Sequence, residues 1–325
     1  MRGLALFGLA CGLVLAVLVV LSYGAGQVWH STLQLGWYGF GFVVAYHLAL
    51  IALEGVGWWL LARGRPDGVL SRFLWGRLIR DSAAEALPLS AIGGFVVGAR
   101  AVTLAGVGSG FAAASTVVDV TVELVGQLGY TLIGLGLLMW LRPQNAFALP
   151  GFAGVLIMSA LVAIFVAVQA RGAGWVERAG VRLTRQFMGG QLAESGVVQA
   201  QIRELHGRPR RLASASCVHL ICWLLSGVET WATLRLMGIS LSLLEGMVID
   251  SLLYGMRSVA FMVPNAVGVQ EGGLVVLGGM FGVGPDTALA LSVIKRARDL
   301  AIGIPALLAW QGAEGRRAWT RYAGL

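Results

Sequence analysis

Long apolar runs separated by short basic stretches set the pattern of this chain. Runs of about 20 mostly apolar residues suffice to cross a bilayer as a helix. Such runs cover 4–23, 36–61, 110–141, 150–170, 212–236 and 286–311. Trp37 and Trp58/Trp59 bracket the second run, and Trp140 and Trp310 close two others. Indole rings favour the membrane interface, so these positions are expected near headgroup level. Two segments break the pattern, 85–108 and 263–284. Each has a proline (Pro88, Pro264) followed by close glycines (Gly93 and Gly94; Gly268), and each apolar piece is short for a span. Broken backbone at membrane depth is tolerated only inside protein or beside a watery cavity. Both segments therefore read as re-entrant hairpins.

Sliding the chain by 176 residues lays Pro88 on Pro264 and Gly106-Val107-Gly108 on Gly282-Val283-Gly284. Ala112, Ala114, Val117 and Leu124 then fall on Ala288, Ala290, Val293 and Leu300. The same shift carries span 36–61 onto 212–236. The segments 63–80 and 171–211 and the tail with Arg316, Arg317 and Arg321 are basic, so they and both termini are expected in the cytoplasm. Span 36–61 must then run inward and span 212–236 outward. The expected fold is an all-α polytopic membrane protein of about six spans plus two hairpins, in inverted repeats. The whole chain, 1–325, reads as one membrane domain, with repeat units at about 36–141 and 212–311 and an amphipathic linker at about 171–211.

Composition sharpens this reading. Hydrophobic residues make up 57% and charged ones 12%, too few to dress a water-facing surface of this size. The net charge of +8 comes from arginines in loops and in no basic, aromatic-interleaved groove, so a nucleic-acid partner is not expected. Cys11, Cys217 and Cys222 form neither a metal spacing nor a disulfide framework, and no metal or cofactor is expected. HExxH, P-loop and GxSxG motifs are missing from the sequence, which argues against an enzyme.

Charges inside the apolar runs carry the candidate chemistry. Asp119, Glu123 and Gln127 recur every four residues and share one helix face. A charge at the bilayer centre costs at least about 2.5–3.5 kcal/mol, so each needs a partner or a watery path. The repeat lays Asp119 on Lys295 and Glu123 on Asp299, in a run that also holds Arg296 and Arg298. The expected pairs are thus Asp119 with Lys295, and Glu123 with Arg296 or Arg298. Glu85, Arg100, Arg257 and Glu271 come from the hairpins. Asp81, Glu229 and Asp250 are further candidates, and Glu54 and His47 weaker ones. The plain alternative is an ion-pair network that only fixes helix register.

The stretches "LPLSAIGGFVVGARAVTLAGV" (87–107), "ASTVVDVTVELVGQ" (114–127) and "VPNAVGVQEGG" (263–273) resemble the flippase-like membrane proteins grouped with the transmembrane region of lysylphosphatidylglycerol synthase. Within that group the chain is similar to hopanoid-biosynthesis-associated proteins. The resemblance implies handling of a membrane lipid in a bacterial inner membrane, with lipid-biosynthesis enzymes as possible partners. It does not imply lysyl transfer, which in the synthases belongs to a separate soluble domain. The function expected is movement or presentation of an amphiphilic lipid between leaflets, with an accessory scaffold as the alternative.

The basic loops make one topological prediction. A single cysteine placed at position 190 should react with an impermeant thiol reagent only after cells are opened. Labelling on intact cells would reverse the assigned orientation.

Overall fold

The Gly-Val-Gly steps that the repeat shares turn out to be helix stops. Gly106 and Gly282 both have positive φ, +101° and +79°, which suits a residue without Cβ. In each case the following valine N–H donates back across the stop, Val107 to the Val102 carbonyl and Val283 to that of Gly278. Val107 and Val283 are buried, so the stop is pinned by an apolar contact as well.

A computed structural model describes residues 25–86, 90–143, 195–260 and 266–322, together with Val263 and scattered positions between 153 and 167. The expected first span, Pro88, Pro264, residues 171–194 and most of 142–170 lie outside the described residues. The described chain is α-helical. The helices are α1 (Ala25–Gln34), α2 (Gly36–Ala62), α3 (Leu70–Ala86), α4 (Ser90–Leu104) and α5 (Ser109–Leu141), then α6 (Ser195–His206), α7 (Pro209–Leu236), α8 (Leu243–Val259), α9 (Val269–Gly279) and α10 (Pro285–Tyr322). Among the described residues α2, α5 and α7 are long and apolar enough to cross a membrane. They match the expected runs 36–61, 110–141 and 212–236 within three residues at each end.

The hairpins are longer than expected. The first comprises α3 and α4, joined at 87–89, and the second α8 and α9, joined at 260–268. The expected boundaries, 85 and 263, cut off the first arm of each. Gly93 and Gly94 therefore do not break a helix; both lie inside α4. Gly94 serves close packing instead, because a Cβ there would sit 2.7 Å from the Arg80 carbonyl oxygen. Gly98, one turn on, faces the Arg80 Cβ in the same way. Small residues let helices approach closely where lipid supplies no hydrophobic drive for association. Gly268, at φ +83°, does break the chain, and its N–H donates to the Glu271 carboxylate at 2.7 Å. The first arm of the second hairpin starts with a capping box, Ser242 and Glu245.

Helices α2–α5 and α7–α10 run in the same order with similar lengths and matching packing. In each half the long helix packs against the other half's hairpin arm: α5 on α8, and α10 on α3. The short helices α1 and α6 also correspond, packing on α10 and α5 respectively. In α6, Ile202 and Leu205 join the core formed around Trp58, Phe73 and Phe111. Trp58 is therefore a packing residue and not an interface ring; its indole N–H donates to Ser115 Oγ at 3.1 Å. Trp37 and Trp140 are exposed, as belt residues would be. In the loop 63–69, Asp67 accepts from the Gly108 N–H and from Arg65. Burial pushes its carboxyl up, but these two donors outweigh burial and leave it below the ordinary value.

Glycine spacing generates a stability test. Gly94→Val should destabilise the bundle by about 1–3 kcal/mol, the usual cost of overpacking. Gly129→Ala, where a Cβ meets only Leu220 at 3.5 Å, should be neutral or stabilising. Unfolding of both variants in detergent checks the contrast.

Candidate functional site

Arginines on α3 organise the interior of the first half. Arg77 and Arg80 lie one turn apart, are both almost fully buried, and face α5. Arg77 grips Glu123 with two bonds, Nη1 to Oε2 at 3.0 Å and Nη2 to Oε1 at 2.9 Å. It also reaches Asp81 at 2.8 Å and Glu54 on α2 at 3.0 Å. Arg80 donates to Asp119 at 2.6 Å and to Glu123. His219 on α7 places Nε2 3.0 Å from the other Asp119 oxygen. Gly57 makes room for this imidazole, and Gly126 lets α7 approach, since a Cβ there would press on the backbone of His219 and Leu220.

Asp119 is therefore held by Arg80, Arg77 and His219, and the expected pair with Lys295 does not form. Lys295 instead donates to Asp250 at 2.9 Å. Asp250 also accepts from Ser226, Thr230 and Tyr130, an array that suits a carboxylate with no exposure. Glu123 likewise pairs with α3, not with Arg296 or Arg298. The repeat relates α5 to α10, but each finds counter-charges on its own half's hairpin, α5 on α3 and α10 on α8 and α9. Arg298 bonds Glu229 and Asp299, and Glu229 also lies 3.0 Å from His47. Arg296 pairs with Glu271, whose other bonds go to Ser292 and the Gly268 N–H. Gln127 donates to Ser258 and the Tyr254 carbonyl.

These clusters surround a cavity of about 170 Å³. Its wall includes Glu54, Arg77, Asp81, Glu85, Glu123, Arg257, Arg298 and Asp299, with Trp223 and Tyr254 as an aromatic side. Trp223 and Tyr254 meet edge to face, with ring centroids 4.7 Å apart. A second crevice of about 150 Å³ shares Glu85 and Asp299 with the first and adds Ser82, Arg296, Leu300, Gly303 and Ile304. Of the expected residues, Glu85, Glu123, Arg257, Arg298 and Asp299 thus line the cavity, and Arg296 lines the adjoining crevice with Glu85 and Asp299. Asp119, Lys295, Glu271 and Gln127 stand behind it and hold the lining helices. Arg100 is elsewhere, paired with Glu314.

Outside, the polarity reverses. Leu132, Met139, Leu300, Ile304 and Leu308 are exposed on the long helices. Charges within and apolar side chains without are the order expected in lipid. Residues 5–306 match the family model described as the lysylphosphatidylglycerol synthase TM region. The chain belongs to that family. Lysylphosphatidylglycerol synthase TM-region proteins are membrane proteins linked to lipid handling, and this one is all-α. No curated protein and no solved structure matches it.

Arg77, Arg80, His219 and Ser82 had escaped the sequence reading. The signal for the arginines was present. Arg77, Arg80, Asp81 and Glu85 recur at intervals of three and four, the period of one helix face. Their place in a basic stretch disguised it. Nothing local marks His219, which is known only through Asp119.

The observed pairs change which residues should couple. Lys295→Gln and Asp250→Asn should be non-additive, because either alone leaves a buried charge alone, at about 3–5 kcal/mol. Lys295→Gln and Asp119→Asn should add within about 0.5 kcal/mol, as separate sites do. Arg80→Gln should couple to Asp119→Asn. Unfolding free energies of the singles and doubles decide the matter, and coupling between Lys295 and Asp119 would restore the rejected pair.

Proposed function

We propose that the chain moves or presents an amphiphilic lipid between leaflets, with the headgroup in the polar cavity and the tail in lipid. One observation carries this reading: a cavity lined by eight charged side chains lies inside a helix bundle whose outer face is apolar. An ion-pair network that only fixed helix register would be better served by filled space. Lining charges replace part of the water a headgroup must shed.

A hopanoid or another polar-headed lipid is the candidate substrate, supported by the resemblance of 114–127. The setting proposed is a bacterial inner membrane with both termini cytoplasmic, supported by the basic segments. Lysyl transfer is not part of the proposed activity. A non-transporting scaffold for lipid-biosynthesis enzymes is the second reading. It draws support from the ion pairs that engage every arginine in the cavity wall.

Reconstitution into liposomes tests the proposal. Headgroup-labelled lipid in the inner leaflet should reach the outer leaflet faster with protein than without. Asp81 makes one ion pair, to an arginine with three other carboxylates, so Asp81→Asn should leave folding intact. It should slow movement by about tenfold, the worth of one charged hydrogen bond. Equal rates in protein-containing and empty liposomes would leave the scaffold reading standing.

A further inference from the structure

The two halves differ at one pair of equivalent positions. The 176-residue shift lays Ser82 on Ser258 and Gly303 on Gln127. At the α5–α8 contact the Gln127 amide fills the space and donates to Ser258 Oγ at 2.6 Å and to the Tyr254 carbonyl at 3.2 Å. At the equivalent α3–α10 contact a glycine takes the glutamine's place. Ser82 is 5% exposed, and its Oγ has no hydrogen-bond partner among the described residues. A crevice of about 150 Å³ opens beside it. Buried hydroxyls are rarely left unsatisfied, and one on a residue that lines an open crevice points to a ligand.

We propose that this crevice is a headgroup site, in which a lipid's uncharged hydroxyl or amide group bonds Ser82 in the place that Gln127 takes in the other half. This deepens the lipid-handling reading and rests on it. The site's charges favour an uncharged group over a phosphate. Each arginine lining the crevice or the adjoining cavity already holds a carboxylate: Arg77 with Glu123, Arg257 with Glu85, Arg296 with Glu271 and Arg298 with Glu229. A phosphate would have to displace one of them. The tail has a path as well. Leu300 and Ile304 line the crevice and are 53% and 54% exposed, and Leu308 continues the same stripe one turn on.

Gly303→Gln is the decisive variant. A Cβ at Gly303 would stand 3.6 Å from Ser82, an ordinary contact, so the longer side chain can enter the crevice. The probe is a monoacylglycerol with a diazirine in its chain, added to the full chain in phosphatidylcholine nanodiscs. Lysophosphatidic acid with the same tail is the anionic comparison. Wild type should give saturable labelling on the peptide that contains Leu300 and Ile304. Gly303→Gln should lose at least fivefold of it while melting no lower than wild type, and the anionic probe should label at least fivefold less. Ser82→Ala, which removes the hydroxyl without adding bulk, should lose labelling too and serves if Gly303→Gln does not fold. Unchanged labelling in the folded variants, or equal labelling by the anionic probe, would overturn the site. Wild type that labels but moves no lipid in liposomes would instead sink the transport reading and leave the site standing.

Discussion

Burying Arg77 and Arg80 against Asp119 and Glu123 is the constraint from which the first half follows. Four charges cannot leave water unless each finds an opposite charge at bonding distance. That demand fixes the register of α3 on α5, because only one rotation brings both guanidiniums to both carboxylates. It fixes α4 as well. Gly94 and Gly98 press on the backbone and Cβ of Arg80, so the second hairpin arm closes behind the arginine and seals it from lipid. His219 then ties α7, from the other half, to the same carboxylate.

The second half satisfies the same demand with different residues. Asp250 on α8 holds Lys295 on α10, and Glu271 on α9 holds Arg296. In the first half the cations sit on the hairpin arm and the carboxylates on the long helix. In the second half the cations sit on the long helix and the carboxylates on the hairpin. Both arrangements bond a hairpin to its own half's long helix, while that long helix also packs on the other half's hairpin arm. Polar bonds cross between the halves too, as from Gln127 to Ser258 and from Tyr130 to Asp250.

Much of this was legible in the chain. The apolar runs of α2, α5 and α7, the Gly-Val-Gly stops and the 176-residue shift are local or periodic signals, and the structure carries them over with small changes at the ends. Asp119 and Glu123 were legible as paired charges because they stand out in an apolar run. Their partners were not. Arg77 and Arg80 sit in a segment whose average composition resembles a cytoplasmic loop, and burial depends on what lies across the bundle. The pairing of Asp119 with Lys295 failed for a related reason. Equivalence under the repeat says which positions share an environment, and two equivalent positions need not touch. Here each long helix takes counter-charges from its own half's hairpin, so equivalent charges lie in separate clusters.

That distinction gives the repeat its use. Symmetric scaffolds repeat backbone and packing, and function needs the halves to differ somewhere. The stops at Gly106 and Gly282 and the packing of α1 and α6 are alike in both halves, as structural features should be. The charges have been redistributed while pairing has been kept. At Ser82 and Gly303 even the hydrogen bond has been given up, whereas Ser258 and Gln127 keep it. A buried hydroxyl without a partner costs roughly 1–3 kcal/mol. Drift toward a filled, bonded contact would need only a longer polar side chain at position 303, as position 127 shows. The opened contact shares Glu85 and Asp299 with the cavity, whereas at the closed contact Gln127 and Ser258 are bonded to each other behind Tyr254, which lines that cavity. The loss of symmetry is therefore placed where a molecule from the lipid would first meet the charged interior.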